Sequence, residues 1–272
     1  MSDMDRRPVV FLDSGIGGIP YCSNFHLCNP GENLIYLADR VNFPYGEKTG
    51  DEIARILLNL VDRIIKKADP KLVVLACNTA TVCGLKILRG HFASLPIVGT
   101  VPAIKPAAQA SKTKIIGVLG TGRTINDPYI AELANKFGPC AIQGIAAPKL
   151  VDFIEKEFDT AAADEKISAV RGYIERLRAL RADVLVLGCT HFLFLADEFR
   201  REAAPDIQVF DSIEGITRRI ETLLDEDGGR LRAGSGGPVE KLLLLTGAAP
   251  PDSAWKRRAE NMGFTLSVPG DL

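Results

Sequence analysis

The chain has 272 residues, 46% of them apolar and 25% charged, and a formal net charge of −1. This length suits one large domain or two smaller ones, and the charge balance, with no Lys/Arg cluster interleaved with aromatics, excludes nucleic acid as a partner. No apolar run nears the roughly 18 to 20 residues of a membrane helix, and the patch after MSDMDRRP is too short for a secretory core, so a cytoplasmic location without membrane association is expected.

In chain order, short β-branched runs predict strands at VVFLD (9–13), NLIYLA (33–38), LVVLAC (72–77), PIVGT (96–100) and KIIGVLG (114–120). Further strands are predicted at CAIQGIA (140–146), VLVLGC (184–189), IQVFD (207–211) and KLLLLT (241–246). Between them lie stretches with apolar residues every three or four positions, such as 51–68 and 167–182, which predict helices. The alternation predicts an α/β fold with mainly parallel sheets covered by helices on both faces. GGRLRAGSGG (228–237) predicts a mobile, Gly-rich loop.

Two pairs of segments look alike. VVFLDSG (9–15) pairs with IGVLGTG (116–122), and LVVLACNTA (72–80) pairs with VLVLGCTHF (184–192), at nearly the same offset. The chain is therefore expected to hold two related, pseudo-symmetric α/β halves. One is residues 1–100 plus a return segment 212–272, the other 101–211. In such sheets ligands sit at the carboxyl ends of strands, so a cleft between the halves, with Cys77 and Cys189 on opposite walls, is expected. The glycines of DSGIGGIP and LGTGRTI fail the dinucleotide fingerprint, because Pro20 and Ile125 stand where its last glycine belongs, and neither is a Walker loop. Tight structural turns and turns whose N–H groups face a small anion both remain open readings.

The six cysteines are Cys22, Cys28, Cys77, Cys83, Cys140 and Cys189. No CxxC pair occurs, so reduced thiols are expected in place of a disulfide framework or zinc site. Cys22, Cys28, Cys83 and Cys140 read as structural. Cys77 and Cys189 differ, since each closes an apolar strand where a helix begins, beside Asn78–Thr79 or Thr190–His191. His191 is close enough in sequence to exchange a proton with Cys189, and Asp13 ends another strand. Two matched thiols suit removal of a proton from one face of a carbon and its return to the other, which is two-base racemisation.

At these residues the sequence resembles the glutamate racemases of the aspartate/glutamate racemase superfamily. The matching segments are FLDSGIGG (11–18), ADRVNFPYGEKT (38–49), LACNTAT (75–81), VPAIKPA (101–107), LVDFIEKEF (150–158), LGCTHF (187–192) and VFDS (209–212). The resemblance implies two α/β domains sharing a cleft, no cofactor and no metal, a small-molecule substrate, glutamate, whose D form feeds peptidoglycan synthesis, and a homodimer. It implies that Cys77 and Cys189 are the acid/base thiols, that Asp13 and His191 tune them, and that Glu155 is a further acidic helper. It implies substrate contacts from Asp13, Ser14, Tyr45, Gly46, Asn78, Thr79, Thr121, Thr190 and His191. Phe192–Leu193 departs from the family's usual aromatic–Pro after GCTH, and Ala38–Asp39 from its usual GD. The alternatives are an aspartate racemase with the same thiols and a non-catalytic small-molecule sensor.

Overall fold

VVFLD forms a strand buried along its whole length, as do LIYLA and LVVL. Such runs carry no polar alternation because helices cover both faces of the sheet they enter. The computed structural model describes residues 5–231 and 237–267. Contacts divide the chain into two compact units, Met1–Thr100 with Ile213–Leu272, and Val101–Ser212.

The first unit runs β1 (Val9–Asp13), α1 (Ile19–Cys28), β2 (Leu34–Ala38), α2 (Gly50–Ala68), β3 (Leu72–Leu75), α3 (Asn78–His91) and β4 (Ile97–Gly99). The second runs α4 (Ile104–Ala110), β5 (Ile115–Gly120), α5 (Gly122–Asn126), α6 (Pro128–Asn135), β6 (Ala141–Ala146), α7 (Pro148–Lys156) and α8 (Ala163–Ala179). It ends with β7 (Val184–Leu187), α9 (Ala196–Ala203) and β8 (Gln208–Phe210). The chain then returns to the first unit through α10 (Ile213–Glu226), β9 (Lys241–Leu245), α11 (Ser253–Met262) and β10 (Thr265–Ser267).

Among the described residues every strand pair is parallel. The sheet orders are β10-β9-β2-β1-β3-β4 and β6-β5-β7-β8. In each unit the first strand passes to a neighbour on one side, and the next strand then joins on the other side. The switch points therefore lie at β1/β3 and β5/β7, where loops diverge at the carboxyl ends and leave room for a ligand. α2 begins with a capping box in which Thr49 and Glu52 satisfy each other's orphan groups, and it packs Ile53, Leu57, Leu60 and Ile64 into the first core. The second core gathers Ile116, Val118, Val184 and Val186 from its strands with Ile104, Ala107 and Ile130 from its helices.

The nine predicted strands form within a residue or two of their expected limits. β10 is additional. β3 and β7 stop two residues short of their cysteines, whose extended backbones cap the helical segments that begin at Asn78 and Thr190. After Cys189 that segment is a 3-10 turn (Thr190–Leu195) rather than an α-helix, because THFLFL is buried on nearly every side and has no polar face to present.

The start of the Gly-rich segment is anchored, contrary to the mobile loop expected there. Lys71 Nζ donates to Gly229 O, Leu231 N donates to Glu32 Oε1, and Arg230 pairs with Glu221 and Asp225. Residues 232–236 of that segment lie outside the described residues. Among the described residues no helix is long and apolar enough to cross a membrane.

Lys71 and Glu32 form an ion pair at 2.6 Å with side chains only 3% and 0% exposed. The pair joins the entries of β2 and β3 to the returning segment. Replacing Lys71 by Met leaves a carboxylate buried without its counter-charge, so the variant is expected to lose about 3–5 kcal/mol in urea unfolding. The double variant Lys71→Met with Glu32→Gln is expected to lose less than the two single losses combined, and strict additivity would show that the pair is not coupled.

Candidate active site

In the first unit, the turn after β1 passes close to the end of β3. A Cβ on Gly18 would stand 2.6 Å from Ala76 Cβ, so only glycine allows this approach. Gly18 N donates to Tyr36 Oη, which donates to Gly15 O. Asp13 is fully buried and its Oδ1 accepts Gly15 N at 2.7 Å. Beside it, Ala76 N donates to Leu12 O at 2.8 Å, and this bond fixes where Cys77 leaves the sheet. Cys77 is 8% exposed, and Ser14, Asn78 and Thr79 around it are all buried. Asn78 Oδ1 is buried and has no hydrogen-bond partner among the described residues. A buried acceptor left unmatched is costly unless a bound group supplies the donor.

Tyr45 closes this wall. It sits in a 3-10 turn with the exposed Gly46. Its hydroxyl donates to Asp39 Oδ2 at 2.7 Å. Burial first, and then the neighbouring Asp39, raise the Tyr45 pKa well above its usual 10.0, with Cys77 and Asp13 adding to the effect. Tyr45 therefore stays a neutral donor. Asp39 is itself fully buried and also accepts from Asn42 Nδ2 at 2.9 Å and Thr246 Oγ1 at 2.8 Å. Sequence reasoning does not find the Asp39–Thr246 link, and its only local signal is an acid placed directly after an apolar strand.

The second unit repeats the plan. Gly188 N donates to Leu119 O at 2.7 Å, the counterpart of the Ala76–Leu12 bond, and a Cβ on Gly188 would come to 3.0 Å from that same carbonyl oxygen. Cys189 comes next, 5% exposed. Its Sγ lies 3.7 Å from His191 Nδ1, and His191 Nε2 lies 2.7 Å from Glu155 Oε1 on α7. Thr190 is buried at the base of the turn. Thr121 follows β5 directly and caps α5 by accepting Thr124 N at 3.3 Å. Burial alone would lower the His191 pKa, but the hydrogen bonds with Cys189 and Glu155 outweigh it and hold it well above its usual 6.5. The ring thus favours its protonated form and lies between a sulfur and a carboxylate, placed to exchange a proton with Sγ.

The predicted residues therefore form two constellations. Asp13, Ser14, Tyr45, Gly46, Cys77, Asn78 and Thr79 belong to the first unit, and Thr121, Glu155, Cys189, Thr190 and His191 to the second. Each gathers at a switch point and offers one thiol and a set of polar donors, with an acid beside the thiol in the first and an imidazole–carboxylate pair in the second. Among the described residues no group of three or more His, Cys, Asp or Glu is arranged to hold a metal ion.

The raised His191 pKa carries a sign. A proton held more tightly in the folded state contributes stability that is complete below the unfolded value near 6.5 and is lost as pH rises through the higher folded value. In Glu155→Gln, the His191 ring resonances are expected to titrate at a lower pH by NMR. The stability gap to the parent protein is expected to be widest at about pH 6 and to narrow on the alkaline side. An unchanged His191 titration would remove Glu155 from this role.

Comparison with known proteins places this geometry in context. The Asp/Glu/hydantoin racemase family model matches residues 26–219. The glutamate racemase of Sphingopyxis alaskensis is 38% identical over 221 residues, covering 80% of this chain and 82% of that protein. The glutamate racemase of Treponema pallidum is 40% identical over 219 residues, covering 79% and 81%. The crystal structure of Escherichia coli glutamate racemase, in complex with L-glutamate and the activator UDP-MurNAc-ala, superposes with a TM-score of 0.82 at 30% identity, covering 98% of this chain and 99% of that one.

Proposed function

The chain belongs to the Asp/Glu/hydantoin racemase family and is an amino-acid racemase, and from that premise we propose that it interconverts L- and D-glutamate using Cys77 and Cys189 as its two bases. The observation that carries the reading is the duplicated placement of the thiols. Each comes directly after the residue that bonds to the central strand of its own sheet, at that sheet's switch point.

The chemistry is a proton transfer in two steps. One thiolate removes the α-proton, the C–H electron pair is left on the α-carbon, and the opposite thiol returns a proton to the other face. The mechanism requires the two thiols to address opposite faces of that carbon. Cys77 takes the proton from the D enantiomer and Cys189 from the L enantiomer. Asp13 serves the first thiol and His191, oriented by Glu155, serves the second. The buried Asn78 Oδ1 accepts a hydrogen bond from the substrate ammonium, and Ser14, Thr79, Thr121 and Thr190, with the backbone N–H groups of Tyr45 and Gly46, supply donors to its carboxylates. Neither metal nor organic cofactor takes part, and the D-glutamate formed supplies peptidoglycan synthesis.

Circular dichroism of L-glutamate incubated with the protein tests this reading, with L-aspartate as the competing substrate. Activity is expected on glutamate and to survive exhaustive EDTA dialysis. Restoration of a lost rate by zinc would defeat the mechanism, and preference for aspartate would move the chain to the shorter substrate. Cys77→Ser and Cys189→Ser are each expected to abolish measurable racemisation in both directions, because a hydroxyl ionises far less readily than a thiol. Asp13→Asn and His191→Asn are expected to be milder and lopsided. The two enantiomers have equal free energy, so the asymmetry must appear in kcat and KM separately and not in the ratio of kcat/KM values. Near-parental racemisation by either serine variant would return these thiols to a structural role.

A further inference from the structure

A cavity lies in the first unit beside the Asp39 carboxylate, and Cys77 is not among its lining residues. Its volume is about 590 Å³, within the ordinary range for small-ligand sites. Its lining includes Lys48 together with Glu52, Arg55, Asn59 and Arg63, a row along α2 at three- and four-residue spacing. The rest of the wall is formed by Asp39, Val41, Asn42, Thr246 and Gly247, at the carboxyl ends of β2 and β9.

The charges of this cavity cancel only in part, leaving a positive excess. Both carboxylates that line it are already engaged. Asp39 accepts from Tyr45, Asn42 and Thr246, and Glu52 turns back to accept from Thr49 in the capping box. The neighbouring Arg40 is likewise occupied, by the carbonyls of Thr246, Gly247 and Ala249. The side chains of Lys48, Arg55 and Arg63 have neither a hydrogen bond nor an ion pair among the described residues. Three cations and two carboxylates line one concavity, Glu52 offsets part of the charge of Lys48 and Arg55, and the positive charge that remains selects a phosphate-type anion. Ile56 and Leu60, with Val41 62% exposed at the rim, add an apolar surface beside the charges.

We propose that this cavity is a second ligand site, separate from the thiol that the racemase reading uses, for a small phosphate-bearing anion with an apolar body. The phosphate oxygens are held by Arg55, Arg63 and Lys48, and the apolar body lies against Val41, Ile56 and Leu60. Asp39 forms part of its wall and accepts from the hydroxyl of Tyr45, so the site adjoins the first constellation without sharing its thiol.

Isothermal titration of the full chain with inorganic pyrophosphate, in the absence of any amino acid, tests the site independently of racemase activity. Saturable binding to a single site is expected, weakening as salt is raised. Arg55→Gln and Arg63→Gln are each expected to weaken it about tenfold, and the double variant to abolish it. Both arginines lie outside the apolar core, and an unchanged far-ultraviolet spectrum will confirm that the variants fold. Phenyl phosphate is expected to displace pyrophosphate. Absence of saturable binding, equal binding by the double variant, or failure of the two probes to compete would each overturn the proposal. So would sedimentation velocity showing that the double variant turns a dimer into a monomer, since a second copy of the chain would then cover these cations.

Discussion

Each thiol depends on one backbone hydrogen bond. Ala76 N reaches Leu12 O, and Gly188 N reaches Leu119 O, so the residue just before each cysteine is still tied to the sheet. Beyond that bond the chain is released, and the cysteine is the first side chain free of the ladder. The strand order then decides what stands beside it. β1 lies between β2 and β3, and β5 lies between β6 and β7, so the loop after the central strand is the neighbour of each cysteine. Ser14 occupies that position in one unit and Thr121 in the other, while the acid that ends β1, Asp13, has only Gly120 as its counterpart. The glycines at 18 and 188 are the steric counterpart of the same constraint, because a side chain at either would push the two loops apart.

The duplication is one of backbone and not of electrostatics. In the first constellation the ionisable partners are acids. Asp13 is buried under a backbone N–H, and Asp39 is buried under three donors. In the second the partner is an imidazole set between sulfur and carboxylate. The two thiols therefore stand in different electrostatic surroundings, and a change of charge beside one leaves the partner of the other untouched.

Much of this is legible in the sequence because the strands are buried on both faces and read as unbroken apolar runs. β10 is not, since TLS offers one large apolar residue at a sheet edge, too little to stand out from a loop. The turn after Cys189 escapes for the opposite reason, as six residues with hardly any polar face carry no period from which to choose a helix type. The pairing of Glu155 with His191 spans 36 residues and enters only through a family resemblance. That of Asp39 with Thr246 spans 207 residues and joins segments separated by a whole unit. Local pattern cannot report such partners, because nothing in either neighbourhood depends on the other until the sheet has formed.

The return of the chain to its first sheet has a consequence for how the protein is made. β9 pairs with β2 along its full length and delivers Thr246 to Asp39, yet it is translated only after the entire second unit. While the ribosome is still adding that unit, the emerged first unit has β2 as an open edge and Asp39 lacks one of its three donors. An unpaired edge of this kind is where nascent chains associate wrongly. The second unit can complete its sheet from contiguous sequence and so mature first, leaving the Cys77 wall to be finished last. Vectorial synthesis thus acquires a built-in order, in which the thiol placed earlier in the sequence is the later one to reach its working surroundings.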